Sequence, residues 1–207
     1  MRPARCNAIL AATVLAGGLA VWLLELAVGA GPASGLDREA FRIGADLRAA
    51  GAVSAVKVVT ALGSSPAMGV LVAGAVLWLA RARRALAAAA LGTGAALTFG
   101  AVHVIKAAVD RPRPPGELTS TTLASFPSGH AAYATGLVAI AIALRLRGAL
   151  LAAVVALAAL VGLSRVYLRA HYLTDVLAGW ALGAAAFAAG ALACALVVHM
   201  RHNPRGK

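Results

Sequence analysis

Six stretches of this chain are too apolar and too long to sit comfortably in water, at about 8–30, 52–80, 85–109, 129–144, 149–163 and 172–199. A helix needs roughly 20 apolar residues to cross the hydrocarbon core of a bilayer. Backbone polar groups inside lipid must pair within their own segment, so runs of this kind are read as helices. The stretches at 129–144 and 149–163 are short for a crossing and rest on their polar flanks as much as on their length. Composition agrees: 61% of the residues are hydrophobic and only 13% charged, too few to give a soluble domain its surface. The 22 glycines, with many alanines, allow close helix approach in a membrane. The expected architecture is a single all-α polytopic membrane domain over 1–207, a bundle of six transmembrane helices.

Two details modify that plan. Gly63-Ser64-Ser65-Pro66 interrupts the second stretch and predicts an irregularity there. Between the first two stretches, residues 36–50 carry Asp37, Arg38, Glu39, Arg42, Asp46 and Arg48, with Leu36, Ala40, Phe41, Ile43, Gly44 and Leu47 at helical spacing. That pattern fits a short interfacial helix on the membrane surface, or a solvated connecting helix without lipid contact. At the start, Arg2 and Arg5 followed by an apolar run, with Gly31-Pro32-Ala33-Ser34 after it, resemble a signal peptide. The run exceeds the roughly 7–15 residues of a signal core, so a retained first helix is expected.

The net charge of +12 does not point to nucleic acid, because the cations sit at the ends of apolar runs rather than on one solvated face. They set an orientation instead. Arg2 and Arg5, then Arg81, Arg83 and Arg84, then Arg145 and Arg147, then Arg201, Arg205 and Lys207 all fall on one side of a six-helix chain, with no acid among them. Every acid except Glu25 falls in the loops of the other side. Positive-inside reasoning places both termini in the cytoplasm and the acid-bearing loops outside, in a plasma or inner membrane. Cys6 and Cys194 form neither a disulfide framework nor a metal motif and are read as packing residues.

The outer side gathers a set of residues suited to a phosphate. Lys106, Arg113 and Arg165 offer one point charge and two planar forks for the oxygens of a dianion. Ser128, Gly129 and His130 open a helix after Pro127, so their N–H groups point at whatever lies beyond, and a helix start favours anions. His171 and Asp175 stand four apart on one helix face, so the carboxylate can take one ring N–H and leave the other nitrogen as a nucleophile. His130 is then placed to donate a proton to the leaving oxygen. No cluster of carboxylates or histidines supplies a cage for Mg²⁺, and no cofactor or metal is expected.

Three motifs carry a family resemblance. Lys106 followed after six residues by Arg113-Pro114, then Pro127-Ser128-Gly129-His130, then Ser164-Arg165 followed after five residues by His171 and after three more by Asp175, resemble the signatures of the type 2 phosphatidic acid phosphatase superfamily. All are complete and in order across 106–175. The resemblance implies a six-helix, metal-independent membrane enzyme working through a phosphohistidine. It implies that His171 is the nucleophile, Asp175 its orienting carboxylate and His130 the general acid and later base. Lys106, Arg113, Ser128, Gly129 and Arg165 match the phosphate-holding positions. Ser164 belongs to the motif without a separate physical role, and Arg111, one step out of register, counts as supporting charge.

An outer-face site favours a substrate already resident in the bilayer. The leading expectation is a polyprenyl pyrophosphate such as undecaprenyl pyrophosphate, with phosphatidic acid or phosphatidylglycerol phosphate as the alternative. A soluble sugar phosphate is a third substrate class, and a soluble haloperoxidase is excluded by the apolar runs. A non-catalytic transporter or scaffold is the reading of another class. It fits less well, since no ionisable set continues toward the cytoplasmic side. Outside the motifs, His103, Glu25, Lys57 and the tryptophans Trp22, Trp78 and Trp180 are read as packing or interface residues. Tyr167, Arg169 and Tyr172 flank the nucleophile and are placed to shape headgroup choice, as is the 115–125 loop.

Overall fold

The computed structural model describes residues 3–28, 33–48 and 52–202. Arg2, Arg205, Lys207, the Gly31-Pro32 half of the candidate cleavage region and the end of the 36–50 stretch lie outside them, as do the side chains of Arg201 and His202. The described residues form eight α-helices and no strand: α1 (Pro3–Val28), α2 (Gly35–Asp46), α3 (Ala52–Ala61), α4 (Ser65–Arg81), α5 (Ala85–Val109), α6 (Gly129–Ala143), α7 (Gly148–Tyr167) and α8 (Leu173–His202). Four of them contain segments long and apolar enough to cross a membrane: Arg5–Val28, Ala85–Val109, Gly148–Tyr167 and Leu173–Met200. α3 and α4 meet the same test together, bent by 43° at the Gly63–Ser64 break. There Ser64 caps α4 by accepting the Ala67 N–H, and Pro66 sits in the first turn where no N–H is needed.

α8 is the spine of the bundle, packed along α1, α5 and α6. Glycine makes that possible. A methyl at Gly179 would stand 2.5 Å from the Ser128 carbonyl oxygen, and one at Gly190 would stand 2.6 Å from the Gly94 nitrogen. The backbones of α8, α6 and α5 therefore touch with nothing between them, the close packing expected where lipid offers no hydrophobic drive. α6 is the most enclosed helix, with Gly129, Ala131, Ala132, Ala134, Gly136 and Ala141 all buried. Leu15, Val58, Val70, Val104, Ile142 and Leu150 turn outward on the bundle's rim, as a lipid-facing surface requires.

Two boundaries differ from the hydropathy reading. α7 continues a turn past 163, through Ser164 and Arg165, to Tyr167. Those polar residues look like an end, but Ser164 donates its hydroxyl to the Val161 carbonyl at 2.6 Å and stays helical. α2 starts at Gly35, because Ser34 and Asp37 close a reciprocal capping box. Ala40 and Phe41 of α2 pack against Val166 and Val176, while Leu36, Ile43 and Leu47 remain exposed. The side chains of Arg5, Arg81, Arg83, Arg145 and Arg147 are exposed and that of Arg84 is half-buried; Arg81 ends α4, Arg83 and Arg84 sit in the α4–α5 turn, and Arg145 and Arg147 in the α6–α7 turn.

Candidate active site

Four elements converge at the other ends of those helices. Lys106 occupies the last turn of α5, and Arg165 the last turn of α7. His130 is the second residue of α6, and His171 sits in the short link before α8. The 110–128 connection folds back over them and delivers Arg113. Lys106, Arg113, Gly129, His130, Arg165 and His171 line one cavity of about 220 Å³, whose rim carries His103, Ser120, Thr121 and Thr122. Residues spread over 106–171 in sequence are thus brought to one void.

The cations around it are held by neutral groups. Lys106 Nζ donates to the Ala124 carbonyl and, at 3.4 Å, to that of Ser125. Arg113 donates at 2.6 Å to the carbonyls of both Leu123 and Ala170. Arg165 Nη1 donates to Thr60 Oγ1 at 3.1 Å. Among the described residues none of the three forms an ion pair. Neutral carbonyls and a hydroxyl fix their geometry without cancelling their charge, which suits the cavity to an anion. Burial holds the Arg113 guanidinium below its ordinary value, and an incoming anion would relieve that.

The helix start adds uncharged donors. Ser128 is buried as the N-cap of α6, where its hydroxyl accepts the Ala131 N–H at 3.4 Å. Gly129 and His130 follow it, and their N–H groups have no carbonyl a turn back in the helix. Gly129 lines the cavity, while Ser128 lies behind it and shapes the helix end.

His171 is 2% exposed. Its Nε2 lies 3.3 Å from Arg113 Nη1, and its Nδ1 lies 3.5 Å from Asp175 Oδ2. A guanidinium can only donate, so Nε2 carries the lone pair and the ring proton belongs on Nδ1, facing the carboxylate. The 3.5 Å gap is an ion-pair distance rather than a closed hydrogen bond. Burial lowers the imidazole to about 4 despite the opposing pull of Asp175, so at neutral pH the ring is uncharged, with an unprotonated Nε2 at the cavity beside Arg113.

Asp175 stands behind the cavity, fully buried. Its Oδ1 accepts Arg111 Nη1 at 2.6 Å, and its Oδ2 accepts the Ser125 hydroxyl and the Tyr172 N–H, the latter at 2.9 Å. Arg111 was expected to add only diffuse charge, yet it is fully buried and ion-paired here. Asp37, Ser125, Thr174 and Thr60 also contact site residues and carry no signal in the sequence motifs. Only the three-residue spacing from Ser34 to Asp37 marks one of them, and it marks a cap. Glu117 lies near the opening, accepting from Thr121 Oγ1. His103 lines the rim with Nδ1 tied to the Phe99 carbonyl at 2.8 Å.

The fold is shared with known proteins. No curated protein matches the chain. Two solved structures resemble it: the transmembrane PAP2-type phosphatidylglycerolphosphate phosphatase of Bacillus subtilis, and LpxE of Aquifex aeolicus. The first is 22% identical with a TM-score of 0.73, covering 94% of this chain and 98% of that one. The second is 24% identical with a TM-score of 0.60, covering 79% of this chain and 94% of that one. At these identities the likeness is one of fold. The family model of the PAP2 superfamily matches residues 85–202, more than half of the chain and all of the motif residues, and the chain belongs to that superfamily.

Proposed function

We propose that this protein is an integral membrane lipid phosphatase that transfers a phosphoryl group to His171 and then to water. The observation that carries the reading is the pairing of a buried, neutral His171, its Nε2 lone pair at the cavity beside Arg113, with three cations that have no acid partner among the described residues. In the first step Nε2 attacks phosphorus while Lys106, Arg113, Arg165 and the α6 N–H groups take the charge on the equatorial oxygens. The bond to the lipid oxygen breaks, and His130 gives that oxygen its proton. In the second step His130 takes a proton from water as the water attacks the phosphohistidine, which frees His171 and inorganic phosphate. Asp175 steadies the positive charge that His171 carries between the two steps. No metal has a part in this scheme.

The membrane arrangement follows the same reading. α3 with α4 counts as one bent crossing, and α6, about 22 Å long at 1.5 Å per residue, as a short one. Together with α1, α5, α7 and α8 they give six. α2 lies at the interface with Leu36, Ile43 and Leu47 toward lipid. By positive-inside reasoning the arginines of the α4–α5 and α6–α7 turns are cytoplasmic, and on this reading the cavity faces the extracytoplasmic side. α6 is short because its start is sunk into the bundle, so the phosphate meets N–H groups below the rim.

A lipid substrate is favoured by a second cavity of about 470 Å³. It is lined by Met68, Val72, Val76, Phe99 and Phe187 and shares Ser65 and Tyr133 with the phosphate cavity. An apolar tail in one and a phosphate in the other is the division such a substrate needs. The leading substrate is a polyprenyl pyrophosphate such as undecaprenyl pyrophosphate. Phosphatidylglycerol phosphate is the second reading, favoured by the fold shared with the Bacillus subtilis enzyme over 94% of the chain. Phosphate release by purified protein in detergent with EDTA separates them. The substrates are undecaprenyl pyrophosphate, phosphatidylglycerol phosphate, phosphatidic acid and a soluble sugar phosphate, and His171→Ala is the control. Release that survives His171→Ala rejects the assigned nucleophile, and release only from the sugar phosphate rejects the lipid reading.

A further inference from the structure

Asp37 lies outside the motifs, on α2, far in sequence from the cavity, and it is fully buried. Its neighbours on the same helix, Glu39 and Asp46, are exposed and pair with Arg42. A buried carboxylate is costly unless it is paired and hydrogen-bonded. Asp37 is both. Its Oδ1 accepts the Thr174 N–H at 2.9 Å, and its Oδ2 accepts the Ser34 N–H at 3.0 Å and Arg111 Nη2 at 3.3 Å. The other fork of Arg111 donates to Asp175 Oδ1 at 2.6 Å and to Thr174 Oγ1 at 2.9 Å. One guanidinium therefore spans two carboxylates, its Cζ lying 4.0 Å from the centre of the Tyr172 ring.

We propose that Asp37 is a positioning residue for the phosphoryl-transfer site: through Arg111 and Thr174 it holds the Asp175 carboxylate against His171. The inference rests on His171 being the nucleophile. Two consequences of the geometry carry it. First, Arg111 takes Oδ1 of Asp175 and so turns Oδ2 toward His171 Nδ1. A guanidinium without Asp37 is free to fork onto both Asp175 oxygens and compete with the ring. Second, one cation shared by two acids leaves a net negative charge behind His171, on the side away from the phosphate. That charge favours the positive ring formed when Nε2 bonds to phosphorus, and it is lost if Asp37 is neutral. Lys106, Arg113 and Arg165 lie outside this network, so phosphate binding is not its target.

The test is Asp37→Asn, which keeps an amide oxygen for the Thr174 N–H but removes the charge. It is assayed on the same four substrates with His171→Ala and wild type alongside. The expected result is a fall in kcat of at least tenfold, bounded by the order of 10²-fold seen for small misplacements. KM and competitive inhibition by inorganic phosphate stay within about twofold, since uniform binding is untouched. A general loosening of the fold would move kcat, KM and phosphate inhibition together, and that pattern overturns the proposal. So does wild-type kcat in Asp37→Asn while His171→Ala is inactive. If Asp37→Asn does not fold, Arg111→Lys decides: a lysine keeps the charge beside Asp175 but cannot span to Asp37, so kcat must fall with phosphate inhibition retained, and unchanged kcat overturns the idea. Activity in His171→Ala, or none in wild type on any substrate, removes the nucleophile assignment and this inference with it.

Discussion

Gly179→Ala is the sharpest single perturbation of the site that touches none of its polar groups. Gly179 lies one turn beyond Asp175 on α8, where that helix crosses the start of α6. A Cβ there would sit 2.5 Å from the Ser128 carbonyl oxygen, 3.0 Å from the Ala131 Cβ and 3.2 Å from the Ala132 nitrogen. The tightest ordinary carbon–oxygen contacts are about 3.3 Å, so the two backbones must separate by about 0.8 Å. None of the three obstacles is a side chain that can rotate away, so the helices themselves must move. Overpacking of this kind costs about 1–3 kcal/mol. The catalytic cost is larger, because α8 carries Asp175 and α6 carries His130. A displacement near 1 Å between groups that act together lowers kcat on the order of 10²-fold. Phosphate release and thermal melting in detergent are read together, with Gly100→Ala as control, since a methyl at Gly100 meets nothing within 4 Å. Wild-type kcat in Gly179→Ala would show that the α6–α8 contact does not set the site's geometry.

His171 stays uncharged well below the usual histidine range, because burial lowers it from 6.5 to about 4. Nitrogen-15 NMR of labelled histidines should show a neutral ring at pH 5.5, and an imidazolium there refutes the burial argument. The sign for stability follows: the unfolded chain takes the proton below about 6.5 and the folded one only near 4, so this contribution is full above 6.5 and is lost as pH falls toward 4. Activity should survive EDTA, because Lys106, Arg113 and Arg165 supply the positive charge and Asp175 is already engaged by Arg111, Ser125 and Tyr172. A requirement for a divalent ion contradicts that. Arg165→Ala removes a charge-assisted bond worth about 1.5–3 kcal/mol, so orthovanadate should inhibit on the order of 10- to 100-fold more weakly. Unchanged inhibition would place Arg165 outside the anion site.

Hydropathy located the helices because lipid forces each one to be apolar along its length. α5 was read to the residue, and the α3–α4 break fell at the glycine, serines and proline that announce it. The same measure misread the end of α7, since a helix that turns polar on entering a site looks like a helix that stops. It also misread the interior of α2. Periodicity places Asp37 on a charged connecting helix among Arg38 and Glu39, and nothing local distinguishes it from Asp46. Only contact with Thr174 and Arg111, 137 and 74 positions away, separates the buried acid from the exposed one.

The site divides in the same way. The residues that line the cavity were legible because their pattern depends on spacing within short segments: a cation near a helix end, a proline before a helix start, a histidine a turn from an aspartate. The groups that hold them were not. Thr60 steadies Arg165 from α3, Ser125 and Arg111 fix Asp175 from the loop, and Asp37 fixes Arg111 from α2. Each is an ordinary polar residue whose only distinction is where the bundle puts it. A cationic cavity with no acid of its own repels itself, and backbone carbonyls are the partners that restrain such charges without neutralising them. The 110–128 connection supplies those carbonyls at Leu123, Ala124 and Ser125. That connection therefore wraps neutral acceptors around two of the cavity's cations, Lys106 and Arg113.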